Sequence, residues 1–235
     1  MDIQVKLNPE RTLKFLLVVI ALLLCANILG ILARYELGFN RGFGLIPLFN
    51  LDAEGNIPTL YSGAALFLAS LLLRTIALRQ QALGQPSTTW TVLALIFLFL
   101  SVDELVTLHE LLGKQLHKRL PVTRVLYCAW AFLYGIGVAI LFLCCLRWLW
   151  RLERRVRRRF VLSGAIFLLG AIGFELLGAR QNALFGIHNL TYELYYTCEE
   201  SLEMLGVAVF IFALLDVLRD STPDGVQVTI KFDST

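Results

Sequence analysis

Acidic side chains interrupt stretches of this sequence that are otherwise as apolar as a lipid tail. In "FLFLSVDELVTLHELLG", residues 97–113, three acids and a histidine follow an apolar run. Four more acids stand in "TYELYYTCEESLEMLG", residues 191–206, and Glu175 stands in a third apolar stretch. Because a bare charge is costly inside a membrane, such acids pair with cations, surround water or bind a metal ion.

A divalent metal ion is the first chemistry that these residue types suggest. Carboxylates with an imidazole suit Mn, Fe or Zn, whereas oxygen ligands alone suit Ca or Mg. We predict that the metal ligands are drawn from Asp103, Glu104, His109, Glu175, Glu200 and Glu203. The predicted general base is Glu199, and the predicted supporting residues are Glu110, Arg180, His188 and Glu193.

This metal-site pattern is suggestive without being specific. Carboxylate-bridged di-metal sites in helix bundles use Glu-x-x-His motifs, and the sequence contains none. Sequence motifs for a nucleophile elbow, a P-loop or a dinucleotide fold are also missing. The acids therefore carry the functional argument alone.

Composition indicates the elements that must position these acids. Of the 235 residues 57% are hydrophobic, and about 20 mostly apolar residues suffice to cross a bilayer. We predict an all-α bundle of six unbroken transmembrane helices forming one domain over residues 1–220, followed by a short cytoplasmic tail, 221–235. The predicted spans are 13–34, 58–79, 88–112, 123–147, 160–179 and 191–218.

The distribution of Lys and Arg predicts the orientation. Six spans place 14 of the 21 Lys and Arg residues on the side of the two termini, and seven of these lie in the loop 147–159. Cytoplasmic loops retain positive charge. We therefore predict cytoplasmic termini, and we expect anionic lipids, and no nucleic acid, as partners of the basic loop.

Helix geometry predicts that three helices carry acids to one depth. Asp103, Glu175 and Glu203 each lie 16 residues from the cytoplasmic end of their spans, about 24 Å into a core about 30 Å thick. Since seven residues make nearly two helical turns, Asp103, Glu110 and His117 should share a face. Arg180 is the expected cation near these acids.

The longest outer loop, residues 35–57, is the expected cover of such a site. Within it "NLDAEGNI", residues 50–57, resembles the start of a calcium loop, but Tyr61 stands where a Glu would be required. A polar turn leading into a helix near Pro58 is the favoured interpretation.

Three segments also resemble a known family. "NIPTLYS" at the start of the second span, "DELVTLHE" at the end of the third and "EESLEMLG" in the sixth are similar to an uncharacterised family of bacterial polytopic membrane proteins. The resemblance covers most of the chain and implies a location in the bacterial inner membrane. It implies no activity.

Three functions are compatible with these features. The first is a metal-dependent membrane enzyme, a hydrolase or oxidase, whose metal activates water or oxygen against a lipid or another hydrophobic substrate. The second is a cation- or proton-coupled transporter or channel that uses the same acids. The third is a non-catalytic subunit with a structural polar network.

Overall fold

The chain folds into a helical bundle with one small pairing of strands. The computed structural model describes residues 2–39, 41–108, 129–220 and 226–231. The elements are β1 (Asp2–Leu7), α1 (Pro9–Leu37), a 3-10 turn (Gly42–Gly44), α2 (Leu45–Phe49), α3 (Ile57–Ala82), α4 (Thr88–Val106), α5 (Ala129–Arg151), α6 (Arg154–Leu168), a π segment (Leu169–Phe174), α7 (Glu175–Phe185), α8 (Leu190–Asp220) and β2 (Val226–Lys231).

Asparagine side chains begin two of the long helices. Asn8 accepts a hydrogen bond from the backbone N–H of Arg11 at 3.0 Å, and Asn56 accepts one from that of Thr59 at 3.1 Å. A proline follows each cap within two residues. An Asn cap with a proline in the first turn pre-organises a helix start, and the predicted turn before Pro58 is confirmed.

Five helices of the described chain are long and apolar enough to cross a membrane: Pro9–Leu37, Ile57–Ala82, Thr88–Val106, Arg154–Phe185 and Leu190–Arg219. Helix α5 coincides with most of the predicted fourth span, 123–147, whose first residues lie outside the described ranges. The helical membrane class is supported. The number of six spans and the cytoplasmic orientation stay predictions.

The strand pair joins the two ends of the chain. β1 runs antiparallel to β2, with Asp2 opposite Lys231 and Leu7 opposite Val226. Nearby, Arg219 at the end of α8 donates a 2.7 Å hydrogen bond to Glu10 at the start of α1. We call the end of the bundle that carries β1, β2, Glu10 and Arg219 the basic end. The sequence analysis did not predict this strand pair.

Helix α8 lies at the centre and packs against α1, α3, α6 and the π segment. The largest fully buried apolar side chains include Leu73 and Ile76 of α3 and Ile211, Leu214 and Leu215 of α8. We call these five residues the apolar layer. They fill the half of the bundle nearer the basic end, where no acid group was predicted.

The predicted third span is interrupted near its outer end. Helix α4 ends at Val106, because Thr107 adopts a left-handed conformation with φ of 59°. The predicted unbroken helix is therefore interrupted at Thr107, and residues 109–112 of the predicted span lie outside the described ranges. The shared face of Asp103, Glu110 and His117 required one continuous helix, and it is interrupted between Asp103 and Glu110. Glu110 and His117 themselves, like His109, lie outside the described residues.

The predicted fifth span also differs from an unbroken α-helix. Six residues, Leu169–Phe174, form a π segment between α6 and α7. A π turn accommodates an extra residue within a helix and occurs frequently at functional sites. Glu175 follows it directly, as the first residue of α7.

Candidate functional site at the acidic end

Carboxylates from three helices lie within electrostatic range of one another at the end opposite β1 and β2. Glu175 of α7 lies within hydrogen-bonding reach of Glu199 of α8. The strongest charged neighbours of Glu203 are Glu104 of α4 and Glu175. Those of Glu200 are Glu203 and Glu104. We call Glu104, Glu175, Glu199, Glu200 and Glu203 the acidic group, and all five side chains are half-buried.

A glycine in the π segment allows α8 to come this close. A Cβ atom at Gly170 would lie 2.6 Å from the carbonyl oxygen of Glu199 and 3.1 Å from Cγ of Glu203. Any larger residue would push the π segment away from α8. The extra residue of the π turn also rotates the following helix, which changes the direction of Glu175 about the helix axis.

The other predicted site residues have different surroundings. Asp103 is buried at the end of α4. Arg180 and His188 are exposed. Glu193 is only 3% exposed and pairs with Arg34 of α1, at 2.5 Å between Oε1 and the guanidinium. Its second oxygen, Oε2, has no hydrogen-bond partner among the described residues.

The cation that neutralises a buried acid here is therefore Arg34, whereas Arg180 was predicted. Arg34 was not predicted as a site residue; α1 extends to Leu37 and places it beside Glu193 of α8. Arg180 lies on α7 and is exposed. The sequence contains one indication of this pair: Arg34 is a single arginine near the end of an apolar helix, at the depth of Glu193 in the bundle.

A hydrogen-bonded loop lies over this end of the bundle, and its anchoring residues were not predicted. Asn27 of α1 donates to Thr197 of α8 at 3.0 Å and accepts from the backbone N–H of Leu51 at 3.1 Å. Tyr196 donates to Asn50 at 3.1 Å. These contacts fasten residues 50–56 across α1 and α8.

Asp52 is the acid that this loop brings to the site. The hydroxyl of Tyr192 donates to Asp52 at 3.0 Å, and Asp52 is also a charged neighbour of Glu200. Desolvation, followed by the charges of Glu193 and Glu175, raises the pKa of Asp52 to about 6, although Tyr192 and Arg34 act in the opposite direction. The loop therefore adds a titratable group beside the acidic group.

The described residues do not form a ready metal site. No group of three or more His, Cys, Asp and Glu side chains within ranges 2–39, 41–108, 129–220 and 226–231 is arranged to hold a metal ion. His109 and Glu110, which the predicted ligand and supporting sets include, fall outside these ranges. The structure thus gives no support to the metal-ligand set, which stays a prediction.

At the basic end, a buried acid is paired with arginines. Asp216 of α8 is fully buried and is paired with Arg159 of α6 and with Arg219. Arg155 approaches it at 3.4 Å. We call this arrangement the Asp216 lock. It ties α6 to α8 and leaves the Asp216 carboxylate fully neutralised.

Comparison with known proteins gives a family without an activity. No curated protein and no solved structure matches the chain. A family model described as a domain of unknown function, DUF8692, matches residues 11–218, which include every helix of the acidic end. The chain belongs to this family of proteins that contain DUF8692.

Proposed function

We propose that this protein is a multi-pass protein of the bacterial inner membrane that binds a cation, a divalent metal ion in the first instance, at the acidic group. The observation that carries the proposal is the approach of Glu104, Glu175 and Glu203 from three different helices. The basic loop 147–159 would face the cytoplasm, so the acidic group would face the outside.

The charge balance supports a cationic ligand. Within the described chain, the strongest charged neighbours of Glu199, Glu200 and Glu203 are other carboxylates. By contrast, the buried Glu193 and Asp216 each meet an arginine. Acids that are there only to hold the bundle together would be expected to follow the second pattern, because a buried charge requires a partner. A bound cation would place positive charge beside these carboxylates.

Binding is favoured over passage through the bundle. The apolar layer lies between the acidic group and the basic end, and the Asp216 lock neutralises the one fully buried acid of that half within the described chain. A route for ions would require polar groups or water there. The packing therefore favours a site that opens towards one side only.

A reaction at this site would use the membrane as its source of substrate. Val102 and Leu105 of α4 and Leu176 and Leu177 of α7 are exposed apolar residues close in sequence to the acidic group. A lipid or another hydrophobic molecule would meet these faces laterally. The proposed chemistry is a hydrolase or oxidase reaction with metal-activated water or oxygen, in which Glu199 serves as the general base.

Titration of the full-length protein with Mn²⁺ tests the cation site. The protein would be purified without chelator and reconstituted in lipid nanodiscs, and isothermal titration calorimetry would follow Mn²⁺, then Zn²⁺ and Ca²⁺. We expect saturable Mn²⁺ binding that the double variant E200Q/E203Q weakens by about tenfold or more, since two candidate ligand charges are lost.

Glu36→Gln is the matched control, because Glu36 is an exposed acid in the last turn of α1, at the acidic end of the bundle. It should bind Mn²⁺ as the unchanged protein does. Absence of saturable binding by all three cations, or equal binding by E200Q/E203Q and the unchanged protein, would contradict the proposed site.

A further inference from the structure

The turn between α5 and α6 concentrates positive charge in a short segment. Only Leu152 and Glu153 separate the two helices. Seven of the 13 residues from 147 to 159 are arginines, and Glu153 is the only acid among them. Topology alone would explain the number of these charges, but the structure gives them two different roles.

Two of the arginines form ion pairs with the buried Asp216, although 52% of the Arg155 side chain stays exposed. Arg155 and Arg159 approach Asp216 and form part of the Asp216 lock. The guanidinium of Arg159 also lies 4.4 Å from the centre of the Phe212 ring. These two residues are engaged by α8, so they are not the ones available to a ligand.

The remaining arginines face outwards around an exposed indole. Arg147, Arg151, Arg154 and Arg158 are exposed. Arg157 lies over the Trp150 ring, 4.7 Å from its centre, and donates a 3.0 Å hydrogen bond to the Trp150 carbonyl oxygen.

The two neighbouring tryptophans of α5 differ in the same way. Trp148 packs edge-on against Trp90 at 4.9 Å between ring centres and also contacts Phe160, whereas Trp150 is 65% exposed. The structure therefore holds one indole in the core and presents the other at the surface with a guanidinium stacked on it. We call Trp150, Arg151, Arg154, Arg157 and Arg158 the basic surface.

Apolar residues beside the basic surface indicate its depth. Leu143 of α5 and Val161 and Leu162 of α6 are exposed. Leu143 lies eight residues before Arg151, and Val161 and Leu162 lie seven and eight residues after Arg154. Each separation is about 12 Å along a helix. If lipid tails cover these apolar residues, the arginines lie at the level of the lipid headgroups.

We propose that the basic surface binds the phosphate headgroup of an anionic phospholipid. Arginine forms paired hydrogen bonds with phosphate oxygens, and an indole favours the zone between headgroups and hydrocarbon. The adjoining exposed apolar faces distinguish this ligand from a nucleic acid, which offers phosphates without acyl chains. The proposal is independent of the cation site at the opposite end.

Lipid titration of the full-length protein tests the basic surface. The protein would be held in a neutral detergent, and native mass spectrometry would compare retained phosphatidylglycerol with retained phosphatidylcholine. We expect phosphatidylglycerol to bind more tightly, and R154Q/R158Q to weaken its binding by about tenfold, since each basic residue near an anionic headgroup strengthens binding several-fold. Both substitutions leave the Asp216 lock intact, so the bundle should fold.

R74Q/R79Q is the matched control, because it removes two arginines from α3, which ends at the same end of the bundle. It should retain phosphatidylglycerol as the unchanged protein does. The proposal is overturned by equal binding of the two lipids, by equal losses in R154Q/R158Q and R74Q/R79Q, or by a single-stranded oligonucleotide that binds the surface more tightly than phosphatidylglycerol does.

Discussion

Individual carboxylates in this protein have two kinds of surroundings. Glu193 and Asp216 are almost completely buried, and each contacts arginine. Glu199 and Glu203 are half-buried, and their strongest charged neighbours are other acids. The first kind stabilises the packing of helices, because each buried charge meets its opposite. The second kind forms the site at which we propose that a cation binds.

The raised pKa of Asp52, about 6, gives a prediction for stability against pH. The usual pKa of an aspartate is about 4, so between about pH 4 and 6 the folded chain binds more protons at this position than the unfolded chain. The contribution of Asp52 to stability is therefore complete below about pH 4 and is lost as the pH rises through 6.

Asp52→Asn keeps a neutral group at every pH and should remove this dependence. We expect the melting temperature of D52N, measured in detergent from pH 4.5 to 7, to rise relative to that of the unchanged protein as the pH increases. Comparing the two proteins at each pH cancels the titration of every other group. Two parallel curves would show that Asp52 does not titrate in this range.

Sequence reasoning predicted that acids of three helices approach one level, but it did not predict the residues that fasten the acidic end. Counting residues along helices could predict a common level for Glu175 and Glu203, because a helix advances by a constant rise. It could not locate Arg34 or Asn27, which are single polar residues in an apolar helix whose partners lie far away in sequence. Such partners follow from the packing of α1 against α8, which no local pattern specifies.

At the scale of elements, the π segment determines how α7 meets α8. Helix starts and most helix lengths follow from apolar runs and Asn caps, so these were predictable. The π segment has no such marker, since its glycines also suit ordinary helix packing. The end of α4 at Val106 was missed because the apolar pattern continues through "LVTLHELLG".

Gly170→Ala should separate the π segment from α8. Its Cβ atom would lie 2.6 Å from a backbone oxygen, so backbone must move, at a cost of about 1–3 kcal/mol. We expect a lower free energy of unfolding, measured by chemical denaturation in detergent, and weaker Mn²⁺ binding by calorimetry, since Glu199 and Glu175 would be displaced.

Gly164→Ala provides the comparison within the same helical region. A Cβ atom at Gly164 has no atom within 4 Å, so alanine should leave stability unchanged or raise it by about 0.5–1 kcal/mol. Equal losses in both variants would mean that helix flexibility, and not close packing at Gly170, explains the effect.

The whole molecule has two chemically different ends. Acids and a hydrogen-bonded loop lie at one end, arginines and the paired termini at the other, and the apolar layer lies between them. The overall plan of apolar helices with acids towards one end followed from the sequence, because apolar length and charge distribution are properties of segments. The division of the arginines between Asp216 and the surface required the three-dimensional packing.

Asp216→Asn should destabilise the whole bundle. Removing this charge leaves Arg155, Arg159 and Arg219 without their shared carboxylate, and breaking a buried ion pair costs about 3–5 kcal/mol. We expect a large fall in the free energy of unfolding in detergent. Glu10→Gln, which removes the exposed partner of Arg219, should change the free energy of unfolding far less, because solvent screens an exposed ion pair. Equal effects of the two variants would contradict the proposed importance of the lock.

The apolar layer also has an electrical consequence. A membrane voltage falls mainly across the part of a protein that excludes water and charge, and here that part is the layer formed by Leu73, Ile76, Ile211, Leu214 and Leu215. The acidic group lies on one side of it and stays near the potential of the solution that it faces. A cation that arrives from that solution crosses little of the field, so its affinity should depend only weakly on the membrane potential.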